Sequence, residues 1–145
     1  MKDFRPEFQE SWINNRLVPA TIKFAEEFAR ELSTRKEDGE KKVIDAEMTT
    51  SQVRKFFGEV KRQQMTGFNE SKFVMLKPKL AYAVGRAKKN VRARNYNIAR
   101  FEEVISMAID TVLSNKMEEA RLVAFKNFVD FFEAVVAYHK KYVKE

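Results

Sequence analysis

Apolar residues recur along most of this chain at intervals of three and four and almost nowhere at intervals of two, a pattern that predicts helices rather than strands. Phe4, Phe8, Trp12 and Leu17 surround a short first helix. Pro19 suits a first helical position, and Ile22, Ala25, Phe28, Ala29 and Leu32 follow it at helical spacing. Residues 37–47 are polar, contain Gly39 and offer only Val43 and Ile44 for packing, so they predict the longest loop. Thr49 followed by Gln52 has the form of a capping box, which opens a helix whose stripe is Val53, Phe56, Phe57 and Val60. Arg54, Lys55, Lys61 and Arg62 fall on its other side.

In residues 73–91 a second stripe runs through Phe73, Leu76, Leu80, Ala83, Val84, Ala87 and Val91. Pro78 should break or kink this helix early, since it lacks a donor and crowds the preceding turn. A further helix follows Asn95-Tyr96-Asn97, with Ile98, Phe101, Ile105, Ala108 and Val112 on its apolar face. The last helix is apolar on two sides. Leu122, Phe125, Val129, Phe132, Val136 and Val143 form one stripe, and Phe128, Phe131, Val135, Tyr138 and Tyr142 form the other. Such a helix is either the centre of a bundle or shared with another subunit, so Phe125, Phe128, Phe132, Val136 and His139 are expected to serve packing or self-association. The fold class expected is all-α, a single helical bundle of about five helices with one long loop, in one domain over residues 1–145. With 44% apolar residues and 13 phenylalanines, the 145-residue chain has the material for one core.

Charge sharpens the picture. Between Ser71 and Phe101 nine basic residues occur without a single Asp or Glu, and the rest of the chain carries two more acidic than basic groups, so the net +7 belongs to this segment. Lys77, Lys79, Arg86, Lys88, Lys89, Arg92 and Arg100 fall opposite the apolar stripe, whereas Arg94 falls on it. A solvated helix face ordinarily mixes signs to gain pairs one turn apart, so an acid-free run tolerates repulsion that a counter-anion would relieve. Nucleic acid is the expected partner, gripped through its backbone without reading of bases. An anionic lipid surface or an acidic protein is the competing partner, in a helical interaction protein that forms homo-oligomers through its last helix. Tyr82 and Tyr96 are read as partly buried packing in preference to base-stacking rings.

Enzymatic readings fare poorly. Cysteine is absent and His139 is the sole histidine, so neither a thiolate nucleophile nor a metal site is expected, and no cofactor. Glu102, Glu103, Glu118 and Glu119 stand in adjacent pairs that point apart on a helix and lack a paired base. The window ahead of His139 holds no arginine of the kind a helical ribonuclease of the HEPN class would need. Gly39, Gly58, Gly67 and Gly85 are isolated, so no phosphate-cradling loop is present. The amino terminus is charged with no apolar stretch after it, and the expectation is a cytoplasmic protein with no membrane association.

Three stretches, taken in order, resemble the small helical subunit of type III-A CRISPR effector complexes, the Csm complexes. They are Met-Thr-Thr-Ser-Gln-Val-Arg at 48–54, Leu-Lys-Pro-Lys-Leu-Ala-Tyr-Ala-Val-Gly-Arg at 76–86 and Phe-Phe-Glu-Ala-Val-Val-Ala-Tyr-His-Lys at 131–140. The match spans residues 48–142, and residues 1–40 contribute only a compatible helix. The resemblance implies a noncatalytic helical protein whose copies stack along the effector filament. It would contact the guide and target RNA path, with other subunits of the complex as partners. On the matched positions it implies RNA contacts at Arg54, Lys77, Lys79 and Arg86, packing for His139 and a backbone contact for Lys140. Lys55, Lys61, Arg62, Lys88, Lys89, Arg92 and Arg94 rest on the charge pattern alone. The Val-Lys-Glu ending departs from a family whose members often finish near glycine.

Overall fold

The computed structural model describes residues 2–88 and 96–145. Val91 and the expected contacts Lys89, Arg92 and Arg94 lie outside the described residues. Among the described residues the fold is all-α apart from one small hairpin. A turn of 3-10 helix at Arg5–Glu7 leads into α1 (Glu10–Asn14) and α2 (Pro19–Leu32), and the hairpin pairs β1 (Lys36–Glu37) with β2 (Val43–Asp45). Then come α3 (Thr50–Thr66), α4 (Glu70–Val74), α5 (Leu76–Lys88), α6 (Tyr96–Leu113) and α7 (Glu118–Tyr142).

Each boundary has a local cause. The Thr49 hydroxyl accepts from the Gln52 amide at 3.1 Å, and the Gln52 side chain takes the Thr49 amide at 2.9 Å, completing the expected capping box of α3. Gly67, at φ 104°, ends α3 in a conformation closed to other residues without strain. The helix expected to break near Pro78 divides at Met75 into α4 and α5, so Pro78 is the third residue of α5. In that first turn its missing N–H removes no helical hydrogen bond.

The region expected as a loop is a hairpin. Its turn is held by Asp38, whose Oδ1 accepts from the amides of Glu40 at 2.8 Å and Lys42 at 2.9 Å. Lys41, not Gly39, takes the left-handed conformation, at φ 63°.

The last helix is the centre of the bundle. α7 packs against α1, α2, α3 and α6, and both of its stripes turn inward. Phe125, Val129 and Phe132 of the first are buried, as are Phe128, Phe131 and Val135 of the second. Phe132 meets Phe57 of α3 and Phe101 of α6, while Phe131 meets Phe8 and Phe24. The apolar excess that pointed to a second subunit is therefore consumed inside the chain. Leu122, at the start of the first stripe, stays 46% exposed.

A buried polar junction ties the hairpin to α6. The Asp45 carboxylate accepts from the Asn97 amide at 2.9 Å and from Arg100 Nη1 at 2.9 Å. The Asn97 side-chain amide donates to the carbonyls of Thr34 and Ala46, and its oxygen accepts from Arg100. Asp45 thus caps the first turn of α6 from 52 residues away, satisfying an N–H that a helix start leaves open. Arg100, expected on the basic surface, is a core residue with 6% of its side chain exposed.

Candidate nucleic-acid interface

The two basic helices face each other across a groove of about 900 Å³. Residues recurring every three or four positions share one side of a helix, and each wall is such a row. From α3 come Gln52, Lys55, Phe56 and Glu59; from α5 come Pro78, Lys79, Tyr82 and Arg86, with Met75 just ahead of them. Ala83, Ala87 and Ile98 add apolar surface, and Phe56, 6% exposed, lies against the core.

The register of the helices divides the cations expected to bind RNA. Lys55, Lys79 and Arg86 converge on the groove. Arg62, two turns beyond Lys55, shares its side of α3 and is exposed. Arg54 and Lys61 lie on the opposite flank of α3, where the Lys61 ammonium sits 2.8 Å from the Gln64 side-chain oxygen and 5.9 Å from the Phe57 ring centre. Lys77 points to α6, and Lys88, three turns on, is exposed in the same register. Lys140, also exposed, stands in the last turn of α7.

The acid-free run is not free of acids in space. Lys77 pairs with Asp110 of α6 at 2.6 Å, Lys79 with Glu59 of α3 at 2.9 Å, and the buried Arg100 with Asp45 at 2.9 Å. Sequence distance hid these partners, the nearest of them 20 residues away. By contrast, Arg54, Lys55, Arg62, Arg86, Lys88 and Lys140 make no ion pair with the described residues, which concentrates the uncompensated charge of the groove on Lys55 and Arg86. At one end of the groove Glu47 reaches Arg35 at 3.5 Å through Oε1, while its Oε2 is buried with no hydrogen-bond partner among the described residues. A carboxylate placed so repels phosphate, leaving the cationic rim as the part suited to anions.

Residues 18–145 match the family described as Csm2 Type III-A. The chain belongs to the Csm2 type III-A family. Membership makes it a small subunit of the type III-A CRISPR effector complex, as the three motifs implied, and extends the resemblance through α2 to the end of the chain. No curated protein and no solved structure matches it.

The remaining expected sites of this Csm2-family chain are structural in their surroundings. Phe125, Phe128 and Phe132 are buried, Val136 is half-buried, and His139 is 1% exposed with Nε2 2.8 Å from the Met48 carbonyl oxygen. Burial holds the His139 imidazole below its ordinary pKa, outweighing the opposing pull of that carbonyl and of Glu145. The Glu145 carboxylate closes the same region by accepting from the Thr50 amide at 2.9 Å and the Thr50 hydroxyl at 2.6 Å, contacts that hold its pKa below the ordinary value. Among the described residues no group of His, Asp or Glu could hold a metal ion, and no helix is long and apolar enough to cross a membrane.

Tyr82 overturns its sequence reading. It is 72% exposed, while every other aromatic among the described residues is buried or half-buried. The signal was available: at about 100° per residue, Tyr82 lies about 200° around α5 from Leu80, across the helix from the apolar stripe.

Proposed function

We propose that this chain is a noncatalytic, cytoplasmic subunit that grips RNA by its backbone, without reading sequence, along the guide and target path of the type III-A complex. The observation that carries this reading is the pair Lys55 and Arg86, cations without acidic partners among the described residues, set on opposite walls of one open groove. Lysine and arginine neutralise phosphates by releasing condensed counterions, and that gain is indifferent to base identity. Lys79 reinforces the rim only in part, because Glu59 competes for its charge. Lys77 is similarly engaged by Asp110. Arg54, Lys61, Arg62, Lys88 and Lys140 add to the positive field and extend the contact to neighbouring phosphates or subunits, supporting filament assembly. The buried stripes of α7 are not available for that assembly, so stacking of copies uses other surfaces of this single helical domain.

The test is a fluorescence anisotropy titration of a labelled, unstructured RNA of arbitrary sequence, from low to physiological salt. Binding is expected to weaken with a log-log slope of about 0.7 per phosphate neutralised. Replacing Lys55 and Arg86 together with Ala should lower affinity at low salt and flatten the slope by about one to one and a half units. Unchanged affinity in that variant, with helix content and melting preserved, would reject the groove as the RNA site. No binding even at low salt would favour a protein partner, or a site completed only between assembled neighbours.

A further inference from the structure

The groove has a second character that a phosphate grip does not use. We infer that it receives an unstacked nucleobase of the bound RNA, laid against the Tyr82 ring, with the adjoining phosphate held at the rim by Arg86 and Lys55; this rests on the backbone-binding reading above.

Three observations point to a base. First, Tyr82 is the one aromatic ring among the described residues that is mostly exposed, and it makes no ring contact or hydrogen bond there. A ring presenting its face to water beside a groove is a stacking platform, which accepts any base because every base has a π-face. Second, part of the groove lining is apolar. Met75 (48% exposed), Pro78, Ala83 and Ala87 offer no hydrogen bond that would be lost when a flat heterocycle covers them. Phosphate would gain nothing there.

Third, the charges orient the nucleotide. Arg86 stands four residues after Tyr82 and so neighbours it on the same side of α5, roughly 6 Å away between Cβ atoms, and Lys55 faces them from α3. Two carboxylates also line the groove: Glu47, at one end, keeps an oxygen without a hydrogen-bond partner among the described residues and so repels phosphate there, while Glu59 is paired with Lys79. Base inward and phosphate outward is the arrangement these charges favour. The groove, about 900 Å³, lies within the range of small-molecule sites, roughly 300–1,000 Å³. The cationic rim favours a nucleotide over a neutral peptide segment, which would find no use for Lys55 and Arg86.

The test compares two single-stranded oligonucleotides of equal length and phosphate count, an ordinary RNA and one whose central residues are abasic. At matched salt the parent protein should bind the ordinary RNA at least about fivefold more tightly. Tyr82→Ala should bind both oligonucleotides with the same, abasic-like affinity, whereas Tyr82→Phe, which keeps the ring, should restore the preference. Helix content and melting of the alanine variant check that the fold survives, as expected for an exposed side chain. Equal affinity of the parent for both oligonucleotides would overturn the base site and leave the backbone reading intact. A preference that persists in Tyr82→Ala would overturn the role of the ring. Failure of the parent to bind either oligonucleotide at low salt would overturn this inference and the backbone reading together.

Discussion

Replacing Asp45 with Asn removes one charge from the buried junction while keeping an oxygen able to accept from the Asn97 amide. What remains is the Arg100 guanidinium, 6% exposed, with one of its nitrogens already lacking a hydrogen-bond partner among the described residues. At the observed 2.9 Å the lost attraction is about 6 kcal/mol for an effective dielectric of about 20. Relaxation and water entry reduce this, and removing one partner of a buried pair ordinarily costs about 3–5 kcal/mol. For a chain of this size each kcal/mol lowers Tm by about 2–4 °C, so Asp45→Asn should melt about 6–20 °C below the parent. The loss is a large share of a total stability of about 5–15 kcal/mol. The assay is thermal unfolding followed by circular dichroism at low and high salt. The shift should be nearly independent of salt, because the pair is shielded from solvent ions. Pairing Asp45→Asn with Arg100→Met should recover part of the loss by removing the stranded charge. A Tm within about 2 °C of the parent for Asp45→Asn would refute the reasoning.

Two further outcomes follow from the geometry. Because burial keeps the folded-state pKa of His139 below its unfolded value, the unfolded chain takes up a proton that the folded chain refuses as pH falls through about 6.5. The stability due to neutral His139 is therefore present above that pH and lost below it. The parent's Tm should drop between pH 7.5 and 5.5 more steeply than that of His139→Gln, and parallel curves would contradict this. The Glu145 carboxyl, whose pKa is lowered by its bonds to Thr50, titrates at lower pH and does not enter this window. Thr49→Ala removes the hydroxyl half of the α3 capping box and should cost about 1 kcal/mol, or about 2–4 °C in Tm. An unchanged melting curve would show that the cap adds nothing.

Features governed by neighbours within one helical turn were legible in the sequence. The Thr49–Gln52 box and the stripe of α3 needed no distant information. The break ahead of Pro78 was legible for the same reason. Features governed by distant partners were not. Arg100 was indistinguishable from the surface cations because the acid that buries it, Asp45, lies 55 residues away in a polar stretch. Lys77 and Lys79 looked unpaired because Asp110 and Glu59 belong to other helices. The two stripes of α7 left two interpretations, and only the positions of α1, α2, α3 and α6 around it decide between them. For the candidate site, the cations were visible, but their division between flanks depends on how α3 and α5 are rotated in the bundle. Tyr82 was readable from its angle on the helix.

The central position of α7 bears on how the chain is made. A ribosome delivers α1, α2, α3 and α6 before the helix on which all of them pack. Until residues 118–142 emerge, Phe24 and Phe101 lack the covering that Phe131 and Phe132 give them. Domains generally fold as units, N-terminal ones first, during synthesis at about 5–20 residues per second. Here closure of the core waits for α7, so the earlier helices reach their full covering only after residues 118–142 are made.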